Sequence, residues 1–313
     1  MTQELILQDN RAVVAGNLNN WLDRFFMFID VKAKSADTYK KATKQFMKYL
    51  AENGITEPTR DTIISWREYL RAEHKPTTIQ LYLTAVKLFF SWLEQEGVYK
   101  NIANKVKGIR IEKGHKKDYL TSKQSKEVLD DIDTTTAKGK RDFAIVALLL
   151  TTGLRTIEVV RADVADLRTV ADSTVLFIQG KGKDEKNDYV KVAPQVEKAL
   201  REYLKTRDSL NDNEPLFTST SNENKGERLT TRTISKIAKT SLVNAGLNSD
   251  RLTAHSFRHT AGTLALLNGA ELTQVKELLR HEQIQTTLIY THNIDRAKNN
   301  SEALVANAIF SME

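Results

Sequence analysis

Glycine and proline are scarce in this chain, at 13 and 4 among 313 residues. Both interrupt helices, glycine through backbone freedom and proline through its missing N–H. Their scarcity favours long helices over a turn-rich all-β fold. The expected fold class is mainly α, with a small β-sheet or hairpin. The longest fully apolar run, Phe143 to Leu150, is far short of the ~18 residues a membrane span requires and reads as a buried central helix. No basic segment followed by an apolar one opens the chain, so no signal peptide is expected. There is no cysteine, which excludes disulfides, thiolate metal sites, iron–sulfur clusters and thiol nucleophiles.

The first hundred residues read as helices with clear punctuation. Ser35 is a candidate N-cap for a run in which Tyr39, Ala42, Phe46, Tyr49 and Leu50 recur at helical spacing, stopped by Asn53-Gly54. A second run spans Asp61 to Glu73. A third opens at Pro76 and continues through Leu81, Val86, Phe89, Phe90 and Leu93 to Gly97. A helix around Leu18 to Phe28 would complete a four-helix unit, whose aromatic stripe reads as core.

Lysine and arginine total 47 against 40 acidic residues, a formal charge of +7. Most of that excess is concentrated. Lys100, Lys105, Lys107, Arg110, Lys113, Lys116 and Lys117 are opposed only by Glu112 over the same stretch, giving +6. With no convincing apolar periodicity, residues 100–118 read as an extended linker. Such charge density suits a phosphate backbone, where neutralisation releases counterions.

After Tyr119 the helical pattern restarts, with a capping signal at Thr121 or Ser122. Ser173 to Gln179 and Asp188 to Val192 are rich in β-branched and aromatic residues and flank a polar turn, so they form an expected β-hairpin. Helical periodicity returns from Thr230. An amphipathic helix is expected near the C-terminus, where Leu304, Val305, Ala308, Ile309 and Phe310 recur at helical spacing.

Six side chains stand at structural punctuation points: Arg155, Lys181, His255, Arg258, His281 and Tyr290. Each alone has a commonplace reading. Arg155 could simply pair with Glu158 one turn on. The Gly180-Lys181-Gly182-Lys183 turn lacks phosphate-loop spacing and could be a solvated hairpin. His255 and His259 are spaced like a metal pair but lack the intervening glutamate and a third ligand. No carboxylate cluster suits a metal-dependent nuclease.

Together, in this order and spacing, the six resemble the tyrosine site-specific recombinases, the phage integrase family, in its two-domain Xer-like form. Thr152-Gly153-Leu154-Arg155 with Glu158 resembles the family's first arginine motif, and Lys181 its hairpin lysine. His255, Arg258 and His259 match its H-x-L-R-H box, with Phe257 in place of leucine. His281 matches the LGH histidine, although Arg280 stands where glycine is customary. Tyr290, with Thr287 before it and His292 after it, matches the nucleophile motif.

The resemblance implies a four-helix SAM-like core-binding domain over 1–99, a basic linker over 100–118 and a catalytic domain over 119–295. It also implies a tail helix over 296–313 that docks on a neighbouring protomer. The implied activity is site-specific strand exchange through a 3′-phosphotyrosine, serving integration and excision or dimer resolution, without cofactor, metal or ATP. In that reading Tyr290 is the nucleophile, Arg155 and Arg258 clamp the phosphate, and Lys181 is the general acid. His255 and His281 assist proton transfer or phosphate binding. The implied partners are double-stranded DNA and further copies of the chain, as a dimer on each site and a tetramer in synapse, or a paralogue in a hetero-tetramer. No membrane partner is expected, and the implied location is the cytoplasm, with the nucleoid. A type IB topoisomerase and a non-catalytic recombinase-derived DNA-binding protein are the alternative readings.

Overall fold

The computed structural model describes residues 21–27, 29, 31, 33–111, 118–180, 183–208, 210–298 and 301–310, with the backbone alone at 33–34 and 292–298. The chain divides into two compact units, Met1–Lys113 and Gly114–Glu313.

The first unit has four described helices, α1 (21–27), α2 (Ala33–Glu52), α3 (Arg60–Tyr69) and α4 (Pro76–Gln95). Thr59 caps α3 by accepting from Thr62 N, while its own N–H donates to the Thr62 hydroxyl, so two orphan donors of the first turn are satisfied. Pro76 opens α4, where its missing N–H costs nothing. Phe46, Ile63, Trp66, Phe89 and Phe90 are fully buried, and Phe46 meets Trp66 edge-on with ring centroids 4.9 Å apart. The aromatic stripe is core, contributing its large apolar area where water is excluded.

One expectation needs correction. The stretch from Lys100 to Ile109 is packed rather than extended free of the unit. Ala103 and Val106 are buried in the same core, and Ile102 and Ile109 pack against it. Its backbone is held by side chains of the helices: Arg67 Nη1 donates to Lys107 O at 2.8 Å, Lys87 Nζ donates to Val106 O, and Ile109 N donates to Gln80 Oε1 at 3.2 Å. With its polar groups satisfied this way, the stretch needs no helical period, so a search for periodicity passes over it.

In the second unit α5 (Ser122–Asp130) is capped by Thr121, with Gln124 closing the reciprocal box. The buried central helix is α6 (Ala137–Thr152). Every residue from Ala144 to Leu150 is inaccessible or nearly so, and Gly153, at φ 60, ends it in the left-handed conformation glycine takes without steric cost. The helix α7 (Thr156–Arg161) follows at once. A three-stranded antiparallel sheet has the order β1 (Leu167–Val170), β2 (Ser173–Ile178), β3 (Asp188–Lys191), with Leu176 opposite both Leu167 and Val190.

The expected hairpin is β2–β3. The third strand, β1, and the helix after the sheet, α8 (Pro194–Leu204), had not been anticipated. The remaining helices are α9 (Thr231–Asn244), α10 (Ala254–Leu267), α11 (Leu272–Leu279), α12 (Gln285–Lys298) and α13 (Ser301–Phe310). Among the described residues no helix is long and apolar enough to cross a membrane.

Candidate active site

Two chain reversals and one helix build the site. The turn after α6 brings Arg155 to the N-cap of α7. Glu158, in the first turn of that helix, reaches back so that its Oε2 accepts from Arg155 N at 2.7 Å and its Oε1 from Arg155 Nη1 at 3.0 Å. The carboxylate sits near the positive end of the helix and is fully buried.

On α10, His255, Arg258 and His259 share a face because they lie three and four residues apart. Arg258 is buried, and its guanidinium donates to two main-chain carbonyls: Nη1 to Gly153 O at 2.6 Å and Nη2 to Leu279 O. That leaves three of its five N–H groups for another acceptor. The imidazole rings of His255 and His259 meet edge-on with centroids 4.8 Å apart. Among the described residues no third metal-ligating side chain joins them.

The third contribution comes from α11, α12 and the turn between them. Arg280 ends α11 with φ 52 and ψ 50. Its Nη2 donates to Glu158 Oε2 at 3.0 Å, and its Nη1 to Leu278 O at 2.7 Å. His281 Nδ1 shares a 2.9 Å hydrogen bond with the hydroxyl of Thr287, which is wholly buried. Tyr290 is 2% exposed. Its ring lies 5.3 Å from that of His259 and packs against α10 at Gly262, where an added Cβ would meet Tyr290 Cζ at 3.3 Å and Leu279 Cδ1 at 2.8 Å.

Burial sets the electrostatics. It pushes Arg258 down to about 10, with Arg155 and Arg280 adding to the shift. Burial again, then Arg258, Arg155, Arg280 and His255, push His281 down to about 4, so its imidazole is neutral at pH 7. The Tyr290 phenol is raised by burial, against which Arg258 and Arg155 pull downward. Two arginines, a neutral imidazole and a phenol thus converge at one partly buried site. The arginines can hold an anionic oxygen and favour a phenolate.

Arg155, His255, Arg258, His281 and Tyr290 are therefore brought together. Lys181 lies outside the described residues, as do Lys113, Lys116 and Lys117; His292 is described only as α12 backbone. The base of the hairpin that carries Lys181 is tied to the end of α7 and the turn that follows it. Arg161 Nη1 donates to Gly180 O at 3.2 Å, and Lys186 Nζ donates to Asp163 Oδ2 at 2.6 Å and to Asp166. Lys100, Lys105, Lys107 and Arg110 are exposed on the first unit. Sequence reasoning did not find the anchoring of His281 by Thr287, the seat for Tyr290 at Gly262, or the bond from Arg280 to Glu158. The one available signal was a bulky cation at a position suited to glycine.

Comparison with known proteins gives the family and the fold. Residues 118–296 match the phage integrase family, and residues 20–97 match the N-terminal SAM-like domain of phage integrases. The tyrosine recombinase XerD of Listeria innocua serovar 6a is 31% identical over 301 residues, covering 88% of this chain and 94% of the relative. The XerH site-specific recombinase, in a post-cleavage complex with palindromic difH substrate, superposes with a TM-score of 0.68 at 22% identity, covering 84% of this chain and 78% of that one. A lambda integrase tetramer bound to a Holliday junction gives a TM-score of 0.67 at 17% identity, covering 87% and 76%.

The chain belongs to the phage integrase family of tyrosine recombinases. It is a DNA strand transferase acting in site-specific recombination, and neither the topoisomerase nor the non-catalytic alternative is favoured.

Proposed function

We propose that this enzyme cleaves DNA through Tyr290, with Arg155 and Arg258 clamping the scissile phosphate, Lys181 as general acid, and His255 and His281 assisting. The observation that carries the reading is the convergence of Tyr290, His281 and Arg258 around the turn at Gly153 and Arg155. The phenolic oxygen, giving its proton to His255, attacks phosphorus in line. A P–O bond forms to Tyr290, the bond to the 5′-oxygen breaks, and a proton passes from Lys181 to that oxygen. The product is a 3′-phosphotyrosine and a free 5′-hydroxyl, and attack by the 5′-hydroxyl of another strand reverses the step without ATP.

Two arginines in place of a metal suit charge spread over non-bridging oxygens. Lysine suits the acid role because arginine holds its proton too tightly. His281, being neutral and fixed through Nδ1, can present its other ring nitrogen to the phosphate. Lys100, Lys105, Lys107 and Arg110, with Lys113, Lys116 and Lys117, supply backbone phosphate contacts on the DNA.

The active assembly is a dimer on each site and a tetramer in synapse, built from this chain or from this chain and a paralogue, in the cytoplasm. The domain division is 1–99 for core binding, 100–118 for the linker region, 119–295 for catalysis and 296–313 for the tail. Exposure of Leu304, Val305, Ile309 and Phe310 on α13, with Phe310 83% exposed, supports docking of the tail on a neighbouring protomer.

The test uses nicked suicide duplexes taken from DNA flanking the gene, incubated with wild-type and Tyr290→Phe protein in EDTA. A protease-sensitive adduct on denaturing gels, formed only by wild type, is expected. Tight native binding with no adduct from wild type would overturn the catalytic assignment.

A further inference from the structure

We infer that Arg280 is a positioning residue for strand transfer: it keeps the buried Glu158 carboxylate paired, so that Arg155 can leave that carboxylate and turn to the phosphate. The inference rests on the function proposed above and deepens it.

Glu158 is fully buried and carries two guanidinium partners, one on each side. The two differ in access. The Arg155 side chain is 31% exposed, whereas that of Arg280 is 10% exposed. Of the two, Arg155 is the more open to an approaching phosphodiester. When it turns away, Glu158 Oε1 loses the Arg155 Nη1 donor, and a buried carboxylate without a cation is strongly unfavourable. Arg280, already bonded to Oε2, holds the charge compensated through that movement.

The geometry of Arg280 supports a role beyond ending a helix. It adopts φ 52, a region disfavoured for every residue with a Cβ, where glycine would be at ease. It buries its guanidinium with Nε unpartnered. Both are costs that a plain helix terminus does not need, and what they secure is the fork between Glu158 Oε2 and Leu278 O. The balance of charges agrees. Arg155, Arg258 and Arg280 against Glu158 leave +2, which one phosphodiester lowers to +1. Without Arg280, Glu158 and the phosphate would together neutralise Arg155 and Arg258, leaving Lys181, which gives up its proton in the step, as the remaining cation for charge that develops during transfer.

The experiment is a set of cycles on the full chain. Arg280→Gly and Arg280→Lys are made alone and in a Glu158→Gln background. DNA affinity and single-turnover cleavage of a nicked suicide duplex are measured for each. Arg280→Gly is expected to slow cleavage roughly tenfold while affinity stays within about twofold. Arg280→Lys recovers most of the rate, and in Glu158→Gln, where no buried charge needs a partner, Arg280→Gly adds no further loss. An equal loss in both backgrounds would overturn the inference, as would a loss confined to affinity.

A second measurement needs no catalysis. Arg155→Ala should lower the melting temperature more in Arg280→Gly than in wild type, because only there is Glu158 left without a side-chain cation. Equal drops sink the pairing role whatever the enzyme cleaves. Unequal drops, with no wild-type adduct on any duplex, would support the pairing and overturn the catalytic reading beneath it.

Discussion

The imidazole of His281 and the ring of Tyr290 lie nearly parallel, their planes 5° apart and their centroids 6.2 Å apart. The histidine ends the α11 turn and the tyrosine lies within α12, with Thr287 pinning the imidazole between them. Burial raises the phenol above its ordinary value, which favours its protonated form.

Replacing Tyr290 by Phe keeps the ring on its seat at Gly262 and removes the proposed nucleophile. Affinity for a site duplex should stay within about twofold of wild type, while covalent adduct falls to background. Titration on native gels, beside denaturing gels of the same samples, checks both halves.

Gly153 is a glycine whose substitution should be costly. Its φ of 60 is left-handed, and an added Cβ would stand 2.5 Å from Leu279 Cδ2. Backbone strain and overpacking together predict a loss of about 2 to 4 kcal/mol for Gly153→Ala. Urea unfolding measures it, and a loss below about 1 kcal/mol would contradict the packing described.

Acid should weaken the fold through His281. Its folded value of about 4 lies below the usual 6.5 of histidine, so between those limits the unfolded chain binds a proton that the folded chain refuses. Stability from this group is complete above pH 6.5, declines as pH falls towards 4, and levels off below. His281→Gln should lose less stability than wild type between pH 7 and pH 4.5. Parallel denaturation curves at the two pH values test this, and identical losses would rule it out.

The exposed lysines of the first unit predict a salt effect. If Lys105 and Lys107 each touch one phosphate, Gln at both positions should reduce the slope of log affinity against log salt by roughly 0.9 for each phosphate left unneutralised. Sequence preference should change little, since such lysines position the protein without reading bases. An unchanged slope would remove these two residues from the interface.

Much of this architecture was legible in advance because local chemistry wrote it. Thr121, Pro76 and Gly97 mark helix ends through capping, a missing donor and left-handed backbone. The β2–β3 hairpin announced itself through β-branched runs around a polar turn. Recognition of the site depended on six residues in order, although none was informative alone. What stayed hidden was non-local. Arg280 and Glu158 are 122 residues apart and meet only after α7 and α11 pack. The stretch around Ala103 and Val106 is bound through polar side chains of other helices, which leaves no periodic trace in its own residues. Strand β1 has only four residues, mostly exposed, and offered no apolar alternation.

Arg258 is gripped by peptide oxygens, those of Gly153 and Leu279. Peptide oxygens are present whatever side chain a position carries. The surroundings of this arginine can therefore diverge widely in composition without releasing it, provided the chain keeps its course through both turns. Loss of a single residue from either turn would do what dozens of substitutions elsewhere could not, because it would move the acceptor itself. Gly153 apart, this part of the protein should over evolutionary time tolerate changes of letter far better than changes of length.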